Sequence, residues 1–288
     1  MLMKAEPLLV GKYELVTTTD RLLWWEDQIR RQGIFAFDTD TTGLNPHTAE
    51  LVGIAMALPS GEACYIPVGH QGVQQLPLNT VLHTLAPILA MPLVTKVMQN
   101  GKYDLHVLAR YGIEVVCVED TMLKSYSMFG GKHRHNMDDL ARMYLGHDTI
   151  TFSQVAGSGA NKVTFDFVEL EPATEYAAED AEITLRLNRK LDELLATDRQ
   201  SSDLYHFLER PLLNVVTKME QRGILVDRDH LKRLETEFSE QAARAANRCY
   251  EIVGEPFNPA SPQQVATVLD RLGVPLVEKT DSGKPATG

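Results

Sequence analysis

Apolar and polar positions follow two rhythms along this chain. Ile34-Phe-Ala-Phe37 is an unbroken apolar run that turns polar at Asp38-Thr-Asp40, the pattern of a buried strand with a functional end. Turn formers follow in Thr41-Thr-Gly-Leu-Asn-Pro46, and residues 51–58 and 63–68 read as the next two strands, parted by Pro59-Ser-Gly61. Strands so closely spaced predict an antiparallel meander. The period then lengthens: residues 81–89 have helical spacing, 94–98 form a short apolar strand, 102–111 read as a helix stopped by Gly112, and 115–118 as a fifth strand. Three strands followed by strand and helix in alternation predict an α/β fold, a mixed five-stranded sheet with helices packed on it. A helix carrying Tyr176 and Asp180 continues through Leu195, and the polar stretch 197–203 is the candidate domain boundary. Beyond it, 204–223 and 228–253 are long amphipathic helical runs, giving expected domains of 1–197 and 204–288.

Composition narrows this picture in two places. With 44% hydrophobic and 23% charged residues the chain has the make-up of a soluble globular protein, and no apolar stretch approaches the roughly 20 residues that span a bilayer. The N-terminus lacks a basic segment followed by an apolar core, so a cytoplasmic location and no membrane partner are expected. Three separated cysteines, Cys64, Cys117 and Cys249, read as reduced thiols. The net charge of −11 at first argues against nucleic acid, whose phosphates are usually met by lysine and arginine. A cluster of catalytic carboxylates changes that inference, because bound cations offset its charge.

Such a cluster is visible. Asp38 and Asp40, two apart on a strand, share a face; Tyr176 and Asp180, four apart on a helix, share another; Asp104 lies in Gln99-Asn-Gly-Lys-Tyr-Asp104. Gathered carboxylates repel, and without thiolates or paired histidines they favour a hard divalent ion such as Mg²⁺ or Mn²⁺. Each residue also has an ordinary explanation. The first pair could cap a turn, Asp104 could sit on a solvated helix face, and Tyr176 could be a half-buried packing residue. Asp120, before Thr-Met-Leu, reads as a helix N-cap rather than a ligand. The histidines of Lys132-His-Arg-His135 lack the spacing of a helical zinc pair.

Taken in order, the three stretches resemble the three exonuclease motifs of the proofreading domain of family A DNA polymerases, the bacterial DNA polymerase I type. A tyrosine four residues before the last aspartate marks the tyrosine branch of the DEDD exonuclease superfamily. The resemblance extends from about Phe35 to the end of the chain and includes Thr149-Ile-Thr-Phe-Ser-Gln-Val-Ala-Gly157 and Tyr176-Ala-Ala-Glu-Asp-Ala-Glu-Ile-Thr184. It implies a ribonuclease H-like exonuclease fold, then the helices that begin a polymerase thumb, incomplete at Gly288 and without palm or fingers. That abrupt end favours a chain cut from a longer polymerase.

The implied activity is 3′-to-5′ hydrolysis of single-stranded or frayed 3′ ends of DNA by a monomer, releasing nucleoside 5′-monophosphates. Two divalent ions are implied, Mg²⁺ or Mn²⁺, with Zn²⁺ an option at one site. By resemblance Asp38 bridges both ions, Asp40 and Asp180 complete the site that activates water, Asp104 helps hold the second ion, and Tyr176 orients the water. Leu44 and Phe152 wedge against the terminal bases, Gln99, Asn100 and Tyr103 contact the last nucleotides, and Arg134 lies near a phosphate. Leu44 and Phe152 read equally well as core residues. The family carries glutamate where this chain has Asp40, a side chain about 1.3 Å shorter. That departure leaves open a weakened exonuclease kept as a DNA-holding platform. An RNA-trimming relative is the third reading, opposed by the thumb-like C-terminal third.

Overall fold

Residues 13–275 are described by a computed structural model, in which the predicted meander forms. The strands are β1 (Glu14–Leu15), β2 (Ile34–Thr41), β3 (Leu51–Ala57), β4 (Ala63–Pro67), β5 (Thr95–Met98) and β6 (Val118–Asp120), in the sheet order β1-β4-β3-β2-β5-β6. β2, β3 and β4 are antiparallel, whereas β5 runs parallel to β2 and β6 parallel to β5.

Two expectations about strands need correction. Among the described residues the sheet has six strands rather than five, because β1 adds parallel to the edge of β4 through Glu14 and Leu15. Two residues are too few to show an alternation, so only the pairing reveals them. The last strand is Val118–Asp120 and not 115–118. Cys117 adopts φ +56°, which breaks the extended run, and the Val116 N–H donates to the Leu89 carbonyl at 3.1 Å.

The sheet is covered on both faces. α1 (Thr19–Gln32), α2 (Leu78–Leu89) and α3 (Lys102–Arg110) bring Trp25, Ile29, Leu85, Ile88 and Leu105 against Phe35, Phe37 and Ile54. α1 precedes every element predicted from sequence. It is capped by Thr18 and closed by Gly33 at φ 72°. α4 (Thr121–Phe129), α5 (Met137–Leu140), a π-helical turn at Ala141–Leu145 and α6 (Phe152–Ala156) follow. The long α7 (Leu170–Leu195) lies on the other face, where Ala173, Ala177, Ala178 and Ala181 meet Ala36, Ala55, Ala57 and Ala63. Small side chains on both sides let the helix approach closely, and that brings Tyr176 and Asp180 down to the aspartates of β2.

Asp198 caps α8 (Arg199–Leu204), which runs through a π turn at Tyr205–Glu209 into α9 (Arg210–Arg222). These helices are tied to α4 and α7 by charge. The buried Lys124 ammonium donates to Asn188 at 2.7 Å and Asp192 at 2.5 Å and pairs with Glu119 at 2.9 Å, while the Tyr205 hydroxyl and Arg210 also reach Glu119, at 2.8 and 2.6 Å. The chain accordingly divides after Gly223, with Ile224 beginning a second compact unit. In that unit α10 (Arg228–Val253) is capped by Asp227 and ends at Gly254 in the left-handed conformation, and α11 (Pro262–Arg271) is capped by Ser261. The outer limits of the two expected domains, residues 1–12 and 276–288, lie outside the described residues. No described helix is long and apolar enough to cross a membrane.

Candidate active site

A cavity of about 450 Å³ opens where the end of β2 faces α7. Asp38, Asp40, Tyr176 and Asp180 all line it, as do Leu44, Gln99, Asn100, Tyr103 and Phe152. Asp104 approaches from α3 and is only 2% exposed; its Oδ1 accepts from the Thr39 N–H at 3.1 Å and the Thr39 hydroxyl at 2.5 Å. Thr39, on β2 between the two aspartates, therefore moors the third carboxylate to the strand that carries the first two.

The site is starved of positive charge. Burial raises Asp38 to about 6. Burial, then the charges of Asp38 and Asp104, push Asp40 well above the usual carboxylate range. Asp104 is raised by burial and by Asp38, with the Thr39 bonds opposing. Asp180 is raised by burial, Asp38 and Asp40, with the Tyr176 hydroxyl opposing. Burial and the neighbouring aspartates also raise Tyr176, so its phenol stays protonated at neutral pH. Four such carboxylates cannot all ionise together without a counter-charge.

Among the described residues, no three His, Cys, Asp or Glu side chains stand converged around a common point for an ion. The donor chemistry nevertheless fits a hard divalent cation. Asp40 Oδ2 and Asp180 Oδ1 are buried without a hydrogen-bond partner among the described residues, and every carboxylate available is an oxygen donor. A buried carboxylate oxygen left unpaired is costly, and a cation is one remedy.

The remaining predicted residues separate into three groups. Leu44 is 95% exposed at the rim, and Phe152 is half-buried at the start of α6, placed there by a Thr151–Gln154 capping box. Tyr103 acts on the rim: its hydroxyl donates to the Gly43 carbonyl at 2.5 Å and lies 2.5 Å from the Thr41 hydroxyl, fixing the turn that presents Leu44. The Gln99 amide is held by the His135 carbonyl at 2.9 Å and by Thr121, and Asn100 is exposed at φ 58°. Arg134 is exposed and lies outside the cavity lining. Asp120 caps α4 through Leu123 and accepts from the Gly101 N–H at 2.8 Å, an N-cap that also ties down the start of α3.

Several residues that shape the site went unread in sequence. An aromatic column runs from Tyr65 to Phe165 (6.3 Å between centroids) and on to Tyr176 (5.7 Å) and Phe152 (6.1 Å). The Tyr65 hydroxyl sits 2.7 Å from His70 Nε2, while His70 Nδ1 lies 3.0 Å from the Val168 carbonyl. A carbonyl can only accept, so Nδ1 carries the proton and Tyr65 donates to Nε2. Burial lowers His70, consistent with this neutral form. Gly53, opposite Asp40 in the register, makes room for the ring: a Cβ there would fall 2.0 Å from the Tyr65 hydroxyl. Beside Asp180, buried Glu179 accepts from His147 at 2.8 Å and from the Ile150 N–H at 2.6 Å, clamping the segment that leads to Phe152. Of these, Glu179 and Ile150 fall within the stretches 176–184 and 149–157 that carry the family resemblance.

Comparison with known proteins bears on the family and the fold. A family model described as 3′-5′ exonuclease matches residues 13–196. The chain is 39% identical over 270 residues to DNA polymerase I of Pseudomonas aeruginosa and 42% identical over 293 residues to that of Rhizobium leguminosarum, covering 91% and 94% of this chain. It spans only 30% and 28% of those two relatives. Among solved structures, the POL domain of Pol1 from M. smegmatis, in complex with DNA primer-template and dNTP, aligns with TM-score 0.73 and 26% identity over 95% of this chain and 43% of its own. Brucella melitensis NrnC aligns with TM-score 0.54 and 24% identity, over 68% of this chain and 88% of its own, a likeness of fold alone. The fold is ribonuclease H-like, and the chain belongs to the 3′-5′ exonuclease family of the DNA polymerase I type.

Proposed function

We propose that this chain removes nucleotides one at a time from single-stranded or frayed 3′ ends of DNA as the proofreading part of a polymerase, releasing nucleoside 5′-monophosphates. The observation that carries the reading is the pair of unpartnered buried oxygens, Asp40 Oδ2 and Asp180 Oδ1, in one cavity with Asp38 and Tyr176. In this reading Asp38, Asp40, Asp104 and Asp180 hold two divalent cations. When bound, such cations supply activation of water and neutralise the charge that grows on the phosphoryl group and the departing 3′ oxygen.

The chain's own groups do the rest. Tyr176, kept protonated, cannot serve as the base; its hydroxyl orients the attacking water next to Asp180. Leu44 and Phe152 take the terminal bases by stacking, which tolerates any sequence. Thr39 keeps Asp104 turned toward β2, and Tyr103 keeps the Leu44 turn in place. Residues 204 onward form, in this reading, the N-terminal part of a polymerase region. Coverage supports the polymerase-associated reading: the POL domain of Pol1, bound to DNA primer-template, aligns along 95% of the chain. Digestion of a 5′-labelled single-stranded oligonucleotide with Mg²⁺ tests the reading; a ladder shortening from the 3′ end supports it, and shortening from the 5′ end overturns it.

A further inference from the structure

We propose that Lys162 is the cationic arm of this site, meeting the phosphodiester backbone of the strand whose terminal base lies on Phe152. The inference deepens the proposed exonuclease reading and rests on it. Three ionisable carboxylates line the cavity, and a nucleic-acid strand brings one further negative charge per nucleotide. Lys162 is the single basic side chain in that lining among the described residues. Its ammonium stands 5.2 Å from the centroid of the Phe152 ring, which itself faces the cavity beside Leu44. A cation next to a base-stacking ring is the pairing that binds single strands: the ring takes the base and the cation takes the adjoining phosphate.

The loop that carries Lys162 is built rather than loose. Gly157 enters it at φ 75°, and a Cβ at that position would fall 2.8 Å from the Asn161 carbonyl, so the chain can fold back this tightly only with glycine there. The Val163 N–H donates to the Ala156 carbonyl at 2.9 Å, closing the loop onto the end of α6. At its far side, Gln71 holds Asp166 through the backbone at 2.9 Å and the side chain at 3.1 Å. Lys162 has no acidic partner among the described residues, so its charge is free to meet a phosphate. The basic contact expected from sequence at Arg134 lies outside the cavity lining, whereas Lys162 lies within it.

The test uses the full chain with Lys162→Met, which keeps the aliphatic stem over Phe152, and Lys162→Arg, which keeps the charge. Binding of a fluorescein-labelled single-stranded oligodeoxynucleotide is measured in EDTA across about 50 to 200 mM KCl, and digestion of the same strand is measured in Mg²⁺. Lys162→Met should weaken Kd and raise KM about 3- to 10-fold at low salt with kcat within about twofold. It should also flatten the slope of log K against log salt by about 0.7, the contribution of one single-strand phosphate contact. Lys162→Arg should restore both. A structural role in the cation–ring contact alone would leave the salt slope unchanged. An unchanged slope and Kd, or an Arg variant that behaves like Met, overturns the inference even if the wild type digests DNA. A wild type that digests nothing yet binds with a Lys162-dependent slope overturns the exonuclease reading and leaves the inference standing.

Discussion

Gly53→Ala is the substitution that most sharply tests how the sheet supports the site. The added Cβ would lie 2.0 Å from the Tyr65 hydroxyl and 2.1 Å from its Cζ, so the ring cannot stay where it is. Nor has it an easy retreat, since His70 and Phe165 pack edge-on against it at 5.7 and 6.3 Å. Moving it breaks the bond to His70 and strands a buried ring nitrogen, about 1–3 kcal/mol, and overpacks the alanine-rich layer under α7, about another 1–3 kcal/mol. A total of about 2–6 kcal/mol corresponds to a fall in Tm of about 4–24 °C for a unit of this size. Because Phe165 also touches Tyr176 and Phe152, activity should fall more than about tenfold well below the melting temperature. Differential scanning fluorimetry and a gel digestion assay read the two effects. A variant within about 1 °C and twofold of wild type would refute the claim that Gly53 is the space for Tyr65.

Other consequences are equally direct. Tyr176→Phe should lower kcat about 10- to 100-fold with little change in Tm, since it removes only the orienting hydroxyl; wild-type turnover would take Tyr176 out of the chemistry. Asp38 has a folded pKa raised to about 6, so the metal-free protein binds more protons than the unfolded chain and loses about 2–3 kcal/mol, at most, as pH rises from about 4 to about 6. The rise in Tm on adding Mg²⁺ should therefore be larger at about pH 7.5 than at about pH 5, and an equal or opposite dependence would contradict the carboxylate-cluster argument. Asp40→Glu should lower the exonuclease rate, because a buried position opposite Gly53 and adapted to aspartate would be crowded by a further methylene; a clear gain in single-turnover digestion would favour a site already weakened by Asp40.

Local periodicity made much of the site legible. A strand period of two joined Asp38 to Asp40, and a helical spacing of four joined Tyr176 to Asp180; both pairs line one cavity. The same logic delimited Arg228–Val253 and the meander. What stayed hidden depends on partners far apart in the chain. Asp104 alone reads as a solvated helix residue, and only Thr39, 65 positions away, explains its burial. β1 exists by pairing with β4, and the shift of β6 follows from a positive φ at Cys117. Lys162 sits in a stretch with no regular period, and a fold-back around Gly157 gives it meaning. α1 is a different case: Leu22, Trp25 and Ile29 carry a readable helical period behind a Thr18 cap.

The most direct test of the central claim is digestion of a single-stranded oligonucleotide labelled at its 5′ end, run in Mg²⁺ and in EDTA, with Asp38→Ala alongside and the products resolved by mass. The account predicts stepwise shortening from the 3′ end, release of nucleoside 5′-monophosphates, and loss of both in EDTA and in the variant. Undiminished cleavage in EDTA, or an Asp38→Ala protein that keeps most of its activity, would contradict it.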